Sequence, residues 1–196
     1  MTKVKSSLFF ILALLMALVV VLSNYLVQFP INFFELHNLL TYGAFSYPIA
    51  FLITDLSNRK YGKIAARKVV YIGFLLGIFL TLYFSTDFSN LISKRIAIGS
   101  GVAFLTAQLL DVYLFDKLRK KSWFIAPLVS SIIGSSVDTF LFFSIAFYGT
   151  TVNWVSLSIG DLLVKILVSL IMLIPFKIFI SRVKDVAEGN KKFTAY

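Results

Sequence analysis

The sequence predicts an all-α integral membrane protein, a single bundle of six transmembrane helices with both termini cytoplasmic. Three observations carry this expectation. Hydrophobic residues make up 59% of the chain and charged residues 14%, with a mean hydropathy of +0.89, a balance that soluble domains do not show. Six apolar runs, each near or above the roughly 20 residues that cross a bilayer as a helix, occupy nearly all of the 196 residues. Lysines and arginines crowd into alternate connections between those runs, the pattern that sets orientation in a membrane. The net charge of +10 is therefore a topology signal, and no nucleic-acid partner is implied.

The runs follow in order. Residues 8–29 come after Lys3 and Lys5; the run is too long for a signal peptide's apolar region and no small-residue cleavage pattern follows, so it is read as a retained first helix. It carries Asn24 and Gln28 toward its outer end. Residues 39–56 hold Tyr42 near the entry, Pro48 inside and Asp55 near the end, before a basic turn with Arg59, Lys60 and Lys63. Pro48 frees the carbonyl of Ala44 and predicts a kink or opening of that helix. Residues 69–85 form the third run and 96–115 the fourth, with Gln108 and Asp111 three residues apart on one face. Lys117, Arg119, Lys120 and Lys121 separate it from the fifth, 124–148, and the sixth is 155–180. The remaining connections hold only Glu35 and His37, then Asp87 with Lys94 and Arg95, then no charge, which places them outside. The membrane domain thus spans residues 1–180, and 181–196 read as a cytoplasmic tail. Ala50-Phe51-Leu52 before Asp55 and Ala103-Phe104-Leu105 before Gln108 are faintly alike, as in a parallel internal repeat.

Polar groups inside such helices are expensive and mark solute or ion paths, or interhelical bonds that the fold alone requires. Asp138 lies near the middle of the fifth run, with Gly134 and Ser130 or Ser131 one and two turns back on its face. Asp161 and Lys165 stand at i, i+4 on the sixth, the spacing of an ion pair. Asp55 reads as an acid at the cytoplasmic rim, a gate or an ordinary boundary group, with Ser57 or Asn58 placed to cap a following helix; Pro48 and Arg59 go with it.

The chain has no cysteine and one histidine, which excludes disulfides, thiolate chemistry and a histidine-built metal centre. No nucleophile elbow, HExxH helix or phosphate-cradling loop is present, and no ring of like groups suggests a channel filter. No enzyme and no cofactor is called for. What remains is a bundle interior with carboxylates, amides and one ammonium among 21 Phe and 9 Tyr, suited to a small, flat, hydrogen-bonding solute.

Three stretches carry a resemblance. Leu40-Thr-Tyr-Gly-Ala-Phe through Phe51-Leu-Ile-Thr-Asp55-Leu to Tyr61-Gly62-Lys63, Ala103 through Gln108 and Asp111 to Leu118, and Ile133-Gly-Ser-Ser-Val-Asp138 to Phe147 together resemble the queuosine precursor transporter family, also grouped as vitamin uptake transporters. The resemblance implies uptake across the bacterial inner membrane of 7-deazaguanine precursors of queuosine, the 7-cyano and 7-aminomethyl forms, for tRNA modification. One departure stands out: Arg59 and Lys60 follow Asn58 where the family commonly has Asn-Glu before its Tyr-Gly. On that reading a deazapurine's adjacent N–H donors meet Asp138 and its carbonyl meets Gln108 or Lys165, with Asp161, Asp111, Asn24 and Tyr42 as further binding residues. The leading expectation is a gradient-driven secondary transporter acting alone. The alternative is a substrate-binding subunit of an energy-coupling-factor importer, in which Ala13-Leu-Leu-Met-Ala17 would dock the energy-coupling module. A homodimer is left open.

Overall fold

A computed structural model describes residues 3–27, 29, 31, 40–84 and 91–182. They form six helices: α1 Lys3–Leu26, α2 Gly43–Tyr61, α3 Lys63–Phe84, α4 Leu91–Leu118, α5 Ile125–Phe147 and α6 Trp154–Arg182. Four contain stretches long and apolar enough to cross a membrane, Ser7–Leu26, Lys94–Leu118, Ile125–Phe147 and Trp154–Ser181. Large apolar side chains such as Phe10, Leu75, Phe140 and Leu163 stay exposed along these helices, as lipid-facing surfaces do. Gln28, Glu35, His37, Asp87 and the tail beyond Arg182 lie outside the described residues.

Helix directions alternate. Gly43 lies against Val27 and Ser46 against Ser23, so α2 runs antiparallel to α1. Gly73 faces Ala13 and Met16 while Gly77 faces Ala17 and Val20, so α3 runs parallel to α1. Thr54 meets Gln108 and Asn58 meets Val112, both 54 residues apart, which sets α2 and α4 side by side in one direction. Antiparallel contacts join α5 to α4 at both ends, through Gly99 against Phe142 and Gly134 against Ala107. α2 touches every other helix and is the centre of the bundle.

Several boundaries differ from the sequence expectation for physical reasons. The second helix does not stop at Leu56. Ser57 donates to the Ile53 carbonyl at 2.7 Å and Asn58 Nδ2 to the Val112 carbonyl at 2.9 Å, so both are interior to α2 and cap no following helix. The helix ends instead at Gly62, whose φ of 84° is open to glycine and strained for other residues. α3 starts at the next residue, so the basic turn is mostly helical. α2 also continues without interruption through Pro48.

Ala13 and Ala17 are 2% and 1% exposed, because their turn of α1 is pressed against Gly73 and Gly77 of α3. This small-residue stripe is used within the chain. Arg95, which counts against the orientation expected from the charge rule, is spent on the fold as well. Its Nε donates to the Ile145 carbonyl at 3.0 Å and its Nη2 to the Tyr148 carbonyl at 2.7 Å, satisfying acceptors that the end of α5 leaves open.

Candidate functional site

The buried polar side chains gather at two levels of the bundle. The first is built around Lys165, 2% exposed on α6. Its ammonium has three N–H groups to place and three acceptors to receive them: Asp138 Oδ2 at 2.8 Å, Asp161 Oδ2 at 2.6 Å and Thr139 Oγ1 at 3.2 Å. Thr139 in turn donates to Asp161 at 2.7 Å. The i, i+4 pair seen in the sequence is thus one side of a triad, closed by Asp138 from α5. The Tyr47 ring covers the ammonium at 4.9 Å, a cation–π contact in a desolvated setting.

Tyr47 links this triad to a second polar chain. Ser100 donates to Asn24 Oδ1 at 2.7 Å, which leaves its lone pairs for the Tyr47 hydroxyl at 2.9 Å. Beside them Phe104 lies 6.3 Å from Tyr47 between ring centroids and stacks on Phe74 at 5.8 Å and 8°. A cavity of about 20 Å³ opens here, lined by Asn24, Tyr47, Phe74, Ser100 and Phe104 among others. Sites that hold a small molecule enclose roughly 300–1,000 Å³, so the conformation is a closed one.

The other level lies two turns along α5. From Asp138 back to Ser131 is seven residues, roughly 10 Å at 1.5 Å per residue. Here Asp55, 2% exposed, and Asp111, 0% exposed, face each other from α2 and α4. Ser130 and Ser131 each point a hydroxyl at Asp55 from 3.5 Å. Thr54 donates to Gln108 Oε1 at 2.5 Å, while Gln108 Nε2 and Ser135 Oγ, on the stretch between the two levels, have no partner.

The predicted residues therefore divide. Asp138, Asp161 and Lys165 come together; Asn24 joins them through Ser100 and Tyr47; Gln108, Asp111 and Asp55 form the other level. Asp55, expected at the rim, is enclosed because α2 carries on past it. Pro48 is buried in α2 and, with Asp55, Ser131 and Ser169, borders a cavity of about 10 Å³. Tyr42 is 47% exposed and joins neither level. Arg59 lies at the end of α2, where its Nη1 donates to the Arg119 carbonyl at 3.2 Å and Arg119 bonds back to the Asn58 carbonyl, tying α2 to α4. Sequence reasoning missed Tyr47, Ser100, Thr139 and Phe104. Tyr47 had a signal, a phenol beside an in-helix proline; Ser100 and Thr139 had none beyond their polarity in apolar runs.

Among the described residues no group of histidine, cysteine, aspartate or glutamate is arranged to hold a metal ion. Comparison with known proteins accords with this solute-carrying architecture. Residues 41–180 match the family described as "Putative vitamin uptake transporter". The chain is 32% identical to the queuosine precursor transporter of Escherichia coli K12, over 92% of both chains. It is 34% identical to a probable queuosine precursor transporter of Haemophilus influenzae, covering 80% of this chain and 79% of that one. A probable queuosine precursor transporter of Bacillus subtilis is 32% identical over 68% of each. No solved structure matches the chain at a significant level. With its family pattern spanning α2 to α6 and a relative aligned along nearly its whole length, the chain belongs to the vitamin uptake transporter family and is a multi-pass membrane protein.

Proposed function

We propose that this protein imports queuosine precursors, the 7-cyano- and 7-aminomethyl-7-deazaguanines, across the bacterial inner membrane as a secondary transporter. In this reading all six helices span the bilayer, the ends rich in Lys60, Lys63, Lys117 and Lys120 face the cytoplasm, and both termini lie there. The alternation of helix directions supports that arrangement, since it brings the C-terminal ends of α2, α4 and α6 to one end of the bundle.

One observation carries the substrate class beyond the names of relatives. Stacked aromatic rings stand directly beside a buried chain of carboxylates, ammonium and amide. A deazaguanine is a flat bicycle with donors on one edge and an acceptor on the next, so it needs both. The closed state holds its site together with bonds the solute can replace. Opening would let the base enter between Tyr47 and Phe104, with Asp138 accepting its paired N–H groups and Lys165 or Gln108 Nε2 meeting its carbonyl.

The energy-coupling alternative loses the residue pattern that suggested it, since Ala13 and Ala17 are covered by α3. The decisive experiment is uptake of labelled precursor by cells that cannot make it and express this chain alone. Transport is expected, with loss in Asp138→Asn. Wild-type uptake by that variant would refute the assignment of Asp138, and no uptake without an added ATPase module would refute autonomous transport.

A further inference from the structure

The Asp55–Asp111 pair makes none of the base contacts proposed above, and its chemistry differs from that of the triad. At the triad an ammonium stands between two carboxylates. Beside Asp55 and Asp111 the described basic groups have other partners: Arg59, one turn along α2 from Asp55, donates to the Arg119 carbonyl. Arg119, two turns along α4, is engaged with Asp116 at 3.6 Å and with α2's end; Lys63 of α3 pairs with Asp116 at 3.8 Å; Lys165 is turned to Asp138 and Asp161. From α5 only the hydroxyls of Ser130 and Ser131 face the pair, and from α6 only Ser169 with apolar neighbours borders Asp55. Each acid thus has the other as a titratable neighbour.

The count of donors and acceptors is equally uneven. A carboxylate only accepts hydrogen bonds. Neither oxygen of Asp111 meets a donor at bonding geometry although the group is fully buried, and Asp55 has two contacts at the long limit of 3.5 Å. Two ionised acids facing each other in a dry interior repel and are each stripped of solvation. A metal cation could relieve the charge, but among the described residues no third carboxylate, histidine or cysteine joins the pair to hold one. A proton needs no such third ligand. It removes one charge and adds the missing donor, so that one acid bonds to the other, the arrangement of a paired-aspartate site. The cavity of about 10 Å³ beside Asp55 and Ser131 is just enough for one water to deliver it.

We propose that Asp55 and Asp111, with Ser130 and Ser131, form a proton-binding site whose loading and release couple uptake to the proton gradient. The coupling rests on the transport function proposed above; the binding of a proton does not. Because α2 and α4 carry one acid each, a displacement of these helices that parts the carboxyls and admits water would weaken the hold on the shared proton, and the solute level lies roughly 10 Å away on the same helices.

The test uses the full chain in lipid nanodiscs without any solute. Infrared difference spectra between acid and alkaline buffer should show the carbonyl stretch of a protonated carboxylic acid, lost in both Asp55→Asn and Asp111→Asn, retained in Asp111→Glu, and untouched in Asp116→Asn. The amide bands report whether each variant is folded, and the wild-type titration stands even where one is not. Absence of the band, its survival in both asparagine variants, or its displacement by sodium at constant pH would each overturn the site. In proteoliposomes, precursor accumulation should follow an imposed pH gradient and lose that dependence in Asp55→Asn and Asp111→Asn; accumulation driven by sodium alone would overturn the coupling. A titrating band in a chain that moves no precursor would uphold the proton site and refute the substrate instead.

Discussion

Replacing Lys165 by Met removes the one cation of the triad and nothing of comparable volume. Asp138 and Asp161, 2% and 6% exposed, would lose bonds of 2.8 and 2.6 Å and keep their burial. Breaking a buried ion pair from one side costs about 3–5 kcal/mol, chiefly through the orphaned charge. For a chain of this size each kcal/mol lowers the melting temperature by roughly 2–4 °C, so Lys165→Met should melt roughly 6–20 °C below wild type. The triple variant Lys165→Met, Asp138→Asn, Asp161→Asn leaves no buried charge, which removes the orphaned-charge penalty that dominates the loss in the single variant. It should recover most of the lost stability and none of the transport. Thermal unfolding in detergent, followed by circular dichroism, measures all of these. A single variant that melts within about 2 °C of wild type, or a triple variant as unstable as the single, would refute a closed, mutually dependent triad.

Two further outcomes follow from the packing and the topology. A Cβ at Gly77 would stand 2.7 Å from Val20 Cβ and Cγ1, so Gly77→Leu should force α1 from α3 and cost about 1–3 kcal/mol by overpacking, read as a lowered melting temperature in the same assay. The chain has no native cysteine, so single cysteines report sidedness directly: Thr151→Cys, between α5 and α6, should react with an impermeant maleimide applied to whole cells, and Ser122→Cys, between α4 and α5, should react only after permeabilisation. Reversed labelling would invert the proposed orientation.

Most of the helices could be read from apolar length alone, because each run must satisfy its own backbone in lipid and only a helix does so within one segment. The Asp161–Lys165 pair was legible for a related reason, its spacing being local. What escaped the sequence is non-local or compensated. Asp138 completes the triad from another helix, 27 residues away, and no spacing rule connects the two. Asp55 looked like a boundary acid because Ser57, Asn58 and Arg59 follow it. Their partners on α4 and within α2 let the helix continue, and those partners become visible only when the helices are set side by side. Arg95 stood against the charge pattern and was outweighed by it; the structure gives it another use, on the carbonyls of Ile145 and Tyr148.

α2 and α4 lie parallel with contacts at a spacing of 54 residues, one more than the offset of 53 between Ala50-Phe51-Leu52 and Ala103-Phe104-Leu105.

The polarity of α2 has a consequence for how this chain is made. Ser46, Thr54, Asp55, Ser57 and Asn58 are all buried on it, and it is absent from the stretches apolar enough to partition into lipid unaided. Every polar partner that makes its burial tolerable is borne by a helix other than itself or by its own backbone, and α4 and α5 are translated after it. In the six-span arrangement proposed above, α2 would stay at the insertion machinery, or against α1, until those later helices arrive, and sequence changes in α4 or α5 that delay this would show first as a protein that fails to accumulate.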